Sequence, residues 1–174
     1  MYRSLVRECP SAFVYIIAFD DKCYSILKKM NLKKAKIISL NEFEDKELLK
    51  AKSNRSKVEY MWTCSSSSVY YVLKRFKVKA CTYIDADLYF YSNPKVLIDE
   101  MKNDSVLISE HKYTKKYDQS KISGKYCVQF MTFKNNAQGV GVLNWWKNAC
   151  LEWCYARPEN GKFGDQKYLD DWLT

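Results

Sequence analysis

The spacing of apolar residues changes period repeatedly along the chain, and each change marks an element. Residues 12–19 form an apolar run of strand length that Asp20-Asp21 closes. Over residues 21–30 the period lengthens, placing Ile26, Leu27 and Met30 on one side of a predicted helix. Residues 35–40 return to a strand pattern. Asn41 is placed to cap a helix, with Glu44 three residues on completing a box-like start. Residues 55–61 read as helical, and the serine run at 65–68 reads as the cap of a further helix over 69–76. Residues 78–84 are β-branched and aromatic enough for a sheet strand. A short helix follows at 94–101 with Pro94 in its first turn, then a strand at 105–109. Residues 112–125 are polar, basic and rich in turn formers, the composition of a mobile loop. A strand at 126–133, a long helix at 138–155, a glycine-flanked loop at 161–164 and a last helix at 165–173 complete the pattern.

Strands alternating with helices predict an α/β fold with a mostly parallel central sheet flanked by helices. Ligands of such sheets bind beyond the carboxyl ends of the strands. That rule singles out TYIDADLYFYSNP at residues 82–94, where Asp85 and Asp87 arrive at the end of an apolar strand. If the extended geometry continues, alternation points both carboxylates to one side and Ala86 to the other. Two like charges on one side repel unless a cation lies near them. Hard oxygen ligands suit Mg²⁺ or Mn²⁺, which keep coordination places for phosphate oxygens and water.

Composition narrows the classes. A chain of 174 residues with 47% hydrophobic and 28% charged positions is long enough for one domain with a real core. It has no apolar run of membrane-span length and no charged-then-apolar leader, so a cytoplasmic chain is expected. Seven scattered cysteines without a CxxC pair, and a single histidine, argue against structural zinc and for reduced, buried thiols. The net charge of +9 favours an acidic partner. Nucleic acid is not expected, because the aromatic residues fall mainly in core segments instead of interleaving with the basic ones.

Five further positions are candidates. Asp165-Gln166 follows the glycine-flanked loop; it either caps a helix or presents a carboxylate and an amide to a cleft, for sugar hydroxyls or proton transfer. Arg55 is placed to meet phosphate and Tyr60 to stack on a base, with a surface Arg55–Glu59 pair as the plain alternative. His111 sits with Glu110 at a strand end beside the loop, in reach of substrate. Trp145 and Trp146 are adjacent on the long helix, so at most one faces the core squarely.

The ordered series Tyr83-Ile84-Asp85-Ala86-Asp87-Leu88, Asn93-Pro94, Ser109-Glu110-His111, Gly124-Lys125-Tyr126, Trp145-Trp146 and Gly164-Asp165-Gln166-Lys167-Tyr168-Leu169 resembles nucleotide-sugar-dependent glycosyltransferases of the GT-A fold. The nearest likeness is to bacterial sugar transferases of the lipopolysaccharide and cell-surface polysaccharide type, and it runs over nearly the whole chain. The resemblance implies a Rossmann-like GT-A domain in which Asp85-Ala86-Asp87 binds Mn²⁺ or Mg²⁺ and the diphosphate of the donor. It implies Arg55 near the nucleotide or its phosphates, and Asp165 and Gln166 facing the donor sugar or the acceptor. The donor would be a nucleotide-diphosphate sugar and the acceptor a saccharide or a lipid-linked one, with peripheral contact at the inner face of the membrane where such acceptors reside. Asp165 is the candidate general base.

The chain also departs from that family. Residues 1–5 read as the middle or end of the first helix, without the strand that normally precedes it, and the chain stops just after the last helix. Tyr126-Cys127 stands where relatives have Tyr-Asn. The expectation is therefore one GT-A-like domain over residues 1–174, lacking the first strand and truncated at both ends. The expected function is glycosyl transfer, with a non-catalytic nucleotide-sugar or polyanion binder as the alternative. A nucleotidyltransferase would carry a glycine-rich basic loop near its start, and none occurs.

Overall fold

The computed structural model describes residues 1–173. The chain opens with helix α1 (Tyr2–Glu8) and runs through strand β1 (Val14–Ala18), helix α2 (Asp21–Lys29), strand β2 (Ala35–Ser39) and helix α3 (Leu40–Phe43). Helices α4 (Lys46–Lys52) and α5 (Lys57–Phe76), strand β3 (Ala80–Ile84), helix α6 (Lys95–Glu100) and strand β4 (Val106–Glu110) follow. A 3-10 turn at Lys115–Tyr117, helix α7 (Ser120–Ser123), strand β5 (Tyr126–Lys134), helix α8 (Ala137–Glu152) and a 3-10 helix at Lys167–Leu173 complete the order. These elements form an α/β protein of two compact units, one of residues 1–45 and 85–102, the other of residues 46–84 and 103 onward.

In the first unit β1 and β2 pair in parallel, from Val14 opposite Ala35 to Ala18 opposite Ser39. Parallel neighbours need a crossover, and α2 supplies it. Asp20 starts that helix by accepting the Cys23 N–H at 2.7 Å, and Lys28 and Lys29 end it with charge that suits the carbonyl terminus. Leu5, Ala18, Ile38 and Phe43 are among the buried apolar residues of this unit. The segment after Asp87 fastens to α1: the Phe90 N–H donates to Ser4 Oγ at 3.1 Å, and Arg7 donates to the Tyr89 hydroxyl at 3.3 Å.

The second unit is built on the antiparallel sheet β3-β5-β4, in which Ala80 faces Lys134, Ile84 faces Phe130 and Glu110 faces Tyr126. Both outer strands run against β5 and therefore in the same direction, so Ile84 and Glu110 lie toward the same end of the sheet. Central β5 is buried along most of its length, as a strand with neighbours on both edges must be. Its Val128, Met131 and Phe133 join Val69 and Leu73 of α5 and Leu143, Trp146 and Cys150 of α8 in one core. The seven cysteines are free thiols, five of them buried. No helix among the described residues is long and apolar enough to cross a membrane.

Several expectations are corrected here. The parallel pairing is confined to β1 and β2; the strand after the basic loop runs antiparallel. Residues 111–125 contain no crossover helix, and the His111 N–H donates to the Lys125 carbonyl at 2.9 Å, so β5 starts where β4 stops. Ser39 caps α3 through the Glu42 N–H at 3.2 Å, displacing the expected Asn41–Glu44 pair. The serine run caps nothing. It lies inside α5, whose start is a capping box: Ser56 Oγ accepts the Glu59 N–H at 3.3 Å, and Glu59 accepts the Ser56 N–H at 2.8 Å. Ser65, Ser66 and Ser67 are buried there, small enough for α5 to pack against α8 and β3. The last helix is a 3-10 helix that begins at Lys167, after Asp165 and Gln166.

Candidate functional site

The second unit contains a cleft of about 480 Å³. Trp62 of α5 and Phe163 form one wall, their rings 6.3 Å apart and tilted at 43°. His111 and Tyr113 form another, stacked 3.9 Å apart and within 4° of parallel. Between them lie Gln119 and Ser123 of the basic loop and Gly164, Asp165 and Gln166. Flat apolar faces beside a few fixed polar groups are the chemistry that binds a sugar ring: C–H faces lie on aromatic carbon, and hydroxyls meet carboxylate or amide.

The segment bearing Asp165 is held from several sides. Gly164 adopts φ +53°, a left-handed conformation, and a Cβ there would come within 3.3 Å of the Trp62 ring, so only glycine seats both comfortably. Its N–H donates to the Tyr155 carbonyl at 3.0 Å. The Asp165 carbonyl accepts the indole N–H of Trp146 at 2.9 Å, and Trp146 is fully buried. Asp165 itself is buried, 7% exposed. Its charge adds to the burial and the Cys154 hydrogen bond that push the Cys150 thiol well up.

Gln166 ties the cleft to the basic loop. Its amide donates to the Ser123 carbonyl at 3.1 Å and to the Tyr113 hydroxyl at 3.3 Å. One residue on, Lys167 donates to the Ser120 carbonyl at 3.3 Å and pairs with Asp170 at 2.8 Å, and Asp170 accepts the Lys125 N–H at 2.8 Å. The two ends of the loop are clamped by Glu110, which lies 2.9 Å from both Lys112 and Lys125. Hydrogen bonds from Lys112 and then Lys125 hold the Glu110 carboxyl down to about 2. The segment expected to be a free loop is thus a folded strap.

Of the residues singled out by sequence, His111, Asp165 and Gln166 come together in this cleft. Arg55 does not line it. Its guanidinium stacks 3.8 Å from the centre of the Tyr155 ring and donates to that hydroxyl, to Asn54 Oδ1 at 2.6 Å, and to the Leu151 and Glu152 carbonyls at 3.4 and 3.2 Å. A cation on the open carbonyls at the end of α8 is a helix terminator. Tyr60, at 4% exposed, is core and presents no face to a base. Glu59 takes the Ala156 N–H at 2.8 Å besides its capping bonds, and these hydrogen bonds, Ala156 first, lower its pKa. Trp146 faces the core and Trp145 is exposed, as adjacency on a helix requires.

Asp85 and Asp87 belong to the first unit. Extended geometry ends at Ile84: residues 85–88 form a turn, with the Leu88 N–H 3.4 Å from the Asp85 carbonyl, so strand alternation does not orient the pair. Asp85 is half-buried, and Ala86 and Asp87 are exposed. Among the described residues no three His, Cys, Asp or Glu side chains gather as a complete metal cage. The aromatic walls went unread in the sequence. Phe163 between two glycines and two tyrosines in a polar loop were their signal, since neither setting needs an aromatic for packing.

The chain is similar, at 32% identity over 98% of its length, to the uncharacterized protein YfnF of Bacillus subtilis (strain 168), and at 28% over 99% of its length to the uncharacterized protein YfnD of the same organism. No model of a protein family matches the chain, and no solved structure does. The chain spans 59% and 57% of the length of these two curated relatives, a little under three-fifths of each.

Proposed function

We propose that the chain is the donor-binding and sugar-binding part of a metal-dependent glycosyltransferase of GT-A type. The observation that supports this reading is the lining of the aromatic cleft, with the chain order of the acidic pair beside it. Strands β3 and β4 stop at the same end of the sheet, and chain order makes Asp85 and His111 the next residues. His111 lines an aromatic cleft whose polar groups are Asp165 and Gln166.

Asp85 and Asp87 suit a Mg²⁺ or Mn²⁺ ion that completes its coordination with the oxygens of a diphosphate, because such ions take one or two carboxylates and keep the remaining places for phosphate and water. When bound, the ion neutralises charge on a departing nucleoside diphosphate. The remaining work falls to the chain's own side chains. Trp62, Phe163 and the His111–Tyr113 stack exclude water and orient the sugar ring. Gln166, fixed through Ser123 and Tyr113, presents its amide oxygen to a hydroxyl. Asp165, on a segment locked by Trp146, takes the proton of the attacking acceptor hydroxyl.

Calorimetric titration of UDP and GDP with and without Mn²⁺, on the wild type and on Asp85→Asn/Asp87→Asn, tests the reading. Manganese-dependent binding that the double substitution abolishes supports it. Absence of nucleotide binding under every condition removes it. Metal-dependent binding without turnover of any nucleotide sugar leaves the non-catalytic binder.

A further inference from the structure

The two units differ in charge. The first carries ten Lys and Arg against ten Asp and Glu; the second carries 19 against ten, so the whole formal charge of +9 lies in the second. Part of that surplus lines a second cleft of about 270 Å³, walled by Lys121, Lys162 and Lys167 with Glu159, Asn160 and Gly161. It shares its two segments with the aromatic cleft. Gln119 and Ser123 face the first cleft while Lys121 faces the second, and Gln166 belongs to the first while Lys167 belongs to the second.

The acids nearby are already committed. Glu159 pairs with Arg157 at 2.7 Å and accepts the Trp153 indole N–H at 3.2 Å. Asp170 is held by Lys167, and Asp118 accepts the Ser120 N–H at 2.8 Å. Among the described residues no carboxylate lies within ion-pair distance of Lys121 or Lys162. The tip that carries Asn160 and Gly161 is a tight turn, closed by Glu159 and Lys162 bonding each other's backbone at 3.1 and 2.9 Å. Lys121 and Lys162 act on Asp118 and Glu159 only through space, beyond ion-pair distance. The lining as a whole carries three ammonium groups against the one carboxylate of Glu159, a surplus of two positive charges that matches a phosphate monoester at neutral pH.

We propose that this second cleft binds a phosphate ester, and that the ester belongs to the acceptor saccharide. The first half stands on the lysines alone; the second rests on the glycosyltransferase reading, which leaves the donor's phosphates to Asp85 and Asp87. The shared wall places the phosphate one residue away from the side chains that meet the sugar.

The test is calorimetry on the full chain at low salt and without metal, using glucose 1-phosphate, glucose, and a polyprenyl-phosphate glucose in detergent micelles. Glucose 1-phosphate should bind and glucose should not. Lys121→Gln/Lys162→Gln should weaken that binding about tenfold or more, while Lys115→Gln/Lys116→Gln, on the same strap but outside the cleft, should leave it unchanged. Binding of the micellar ligand alone, with the same lysine dependence, supports the subsite and makes its source a lipid headgroup. Equal loss in both lysine pairs, or no binding of either phosphate, overturns it. Lysine-dependent phosphate binding without any glycosyl transfer would remove the glycosyltransferase reading and keep the subsite. Transfer to uncharged saccharides that ignores both lysines would do the reverse.

Discussion

Two acidic segments carry the proposed chemistry, and they are built in opposite ways. Asp165 is buried on a segment fixed by Trp146, by the left-handed Gly164 and by the bonds of Gln166. Asp85 and Asp87 ride a turn, one half-buried and the other exposed, between the end of β3 and a stretch fastened to α1. A carboxylate that receives a proton benefits from a fixed position and a dry setting. A carboxylate that shares a metal with substrate must keep lone pairs open to both. The difference teaches that exposure at one site and burial at the other are each suited to the task assigned.

The comparison predicts that damage to the first support is costly and damage to the second nearly silent. Trp146→Ala removes a fully buried side chain and the hydrogen bond to Asp165, and should cost about 3–5 kcal/mol in urea unfolding. Trp146→Phe, which keeps most of the packing and loses the indole donor, should cost much less and yet weaken saccharide binding in the aromatic cleft. Gly164→Ala places a methyl against Trp62 at a left-handed φ and should cost about 1–2 kcal/mol. Asp87→Asn should change stability by no more than about 0.5 kcal/mol, because the side chain is exposed, while removing manganese-dependent nucleotide binding. A large drop in stability there would break the contrast between the segments.

The smallest effect concerns the strap. The folded pKa of Glu110 is depressed to about 2, below the ordinary carboxylate value of 4.5, so its contribution is complete above that value and is lost as pH falls toward 2. Glu110→Gln should leave the thermal midpoint almost unchanged at neutral pH, because the pair is solvent-screened, but should speed proteolysis within residues 112–125. It should also erase the strap's own acid sensitivity between pH 4.5 and 2. Unchanged cleavage would mean that Gln166 and Lys167 hold the strap without the clamp.

Most elements were legible because their apolar periods are strong, as in residues 14–18 and in α8. The errors arose where local chemistry offered two choices. Serines cap helices and also fill tight helix contacts, and the run at 65–68 does the second, since Ser56-Lys57-Val58-Glu59 had already supplied the cap. That box is readable in the sequence from the serine and the glutamate three residues on. The strand direction of β5 was not readable, because it depends on a bond between His111 and Lys125 that closes the strap on itself. His111, Asp165 and Gln166, singled out by the chemistry of their neighbours, line one cleft, whereas Arg55 lies on the end of α8, a place that suits a cation as well as a phosphate does. Aromatic residues in polar surroundings, Tyr113 and Phe163, were the unread half of the site.

Gln166 and Lys167 grip the strap by the backbone carbonyls of Ser123 and Ser120, and every residue type carries such a carbonyl. Apart from Tyr113, whose hydroxyl accepts the Gln166 amide, and Asp118, which accepts the Ser120 N–H, side chains between residues 113 and 122 can therefore be exchanged without loosening the seam that joins strap and cleft. Substitutions in the strap can thus change the lining of the cleft while its backbone attachment stays, so ligand preference is open to divergence on an unchanged frame.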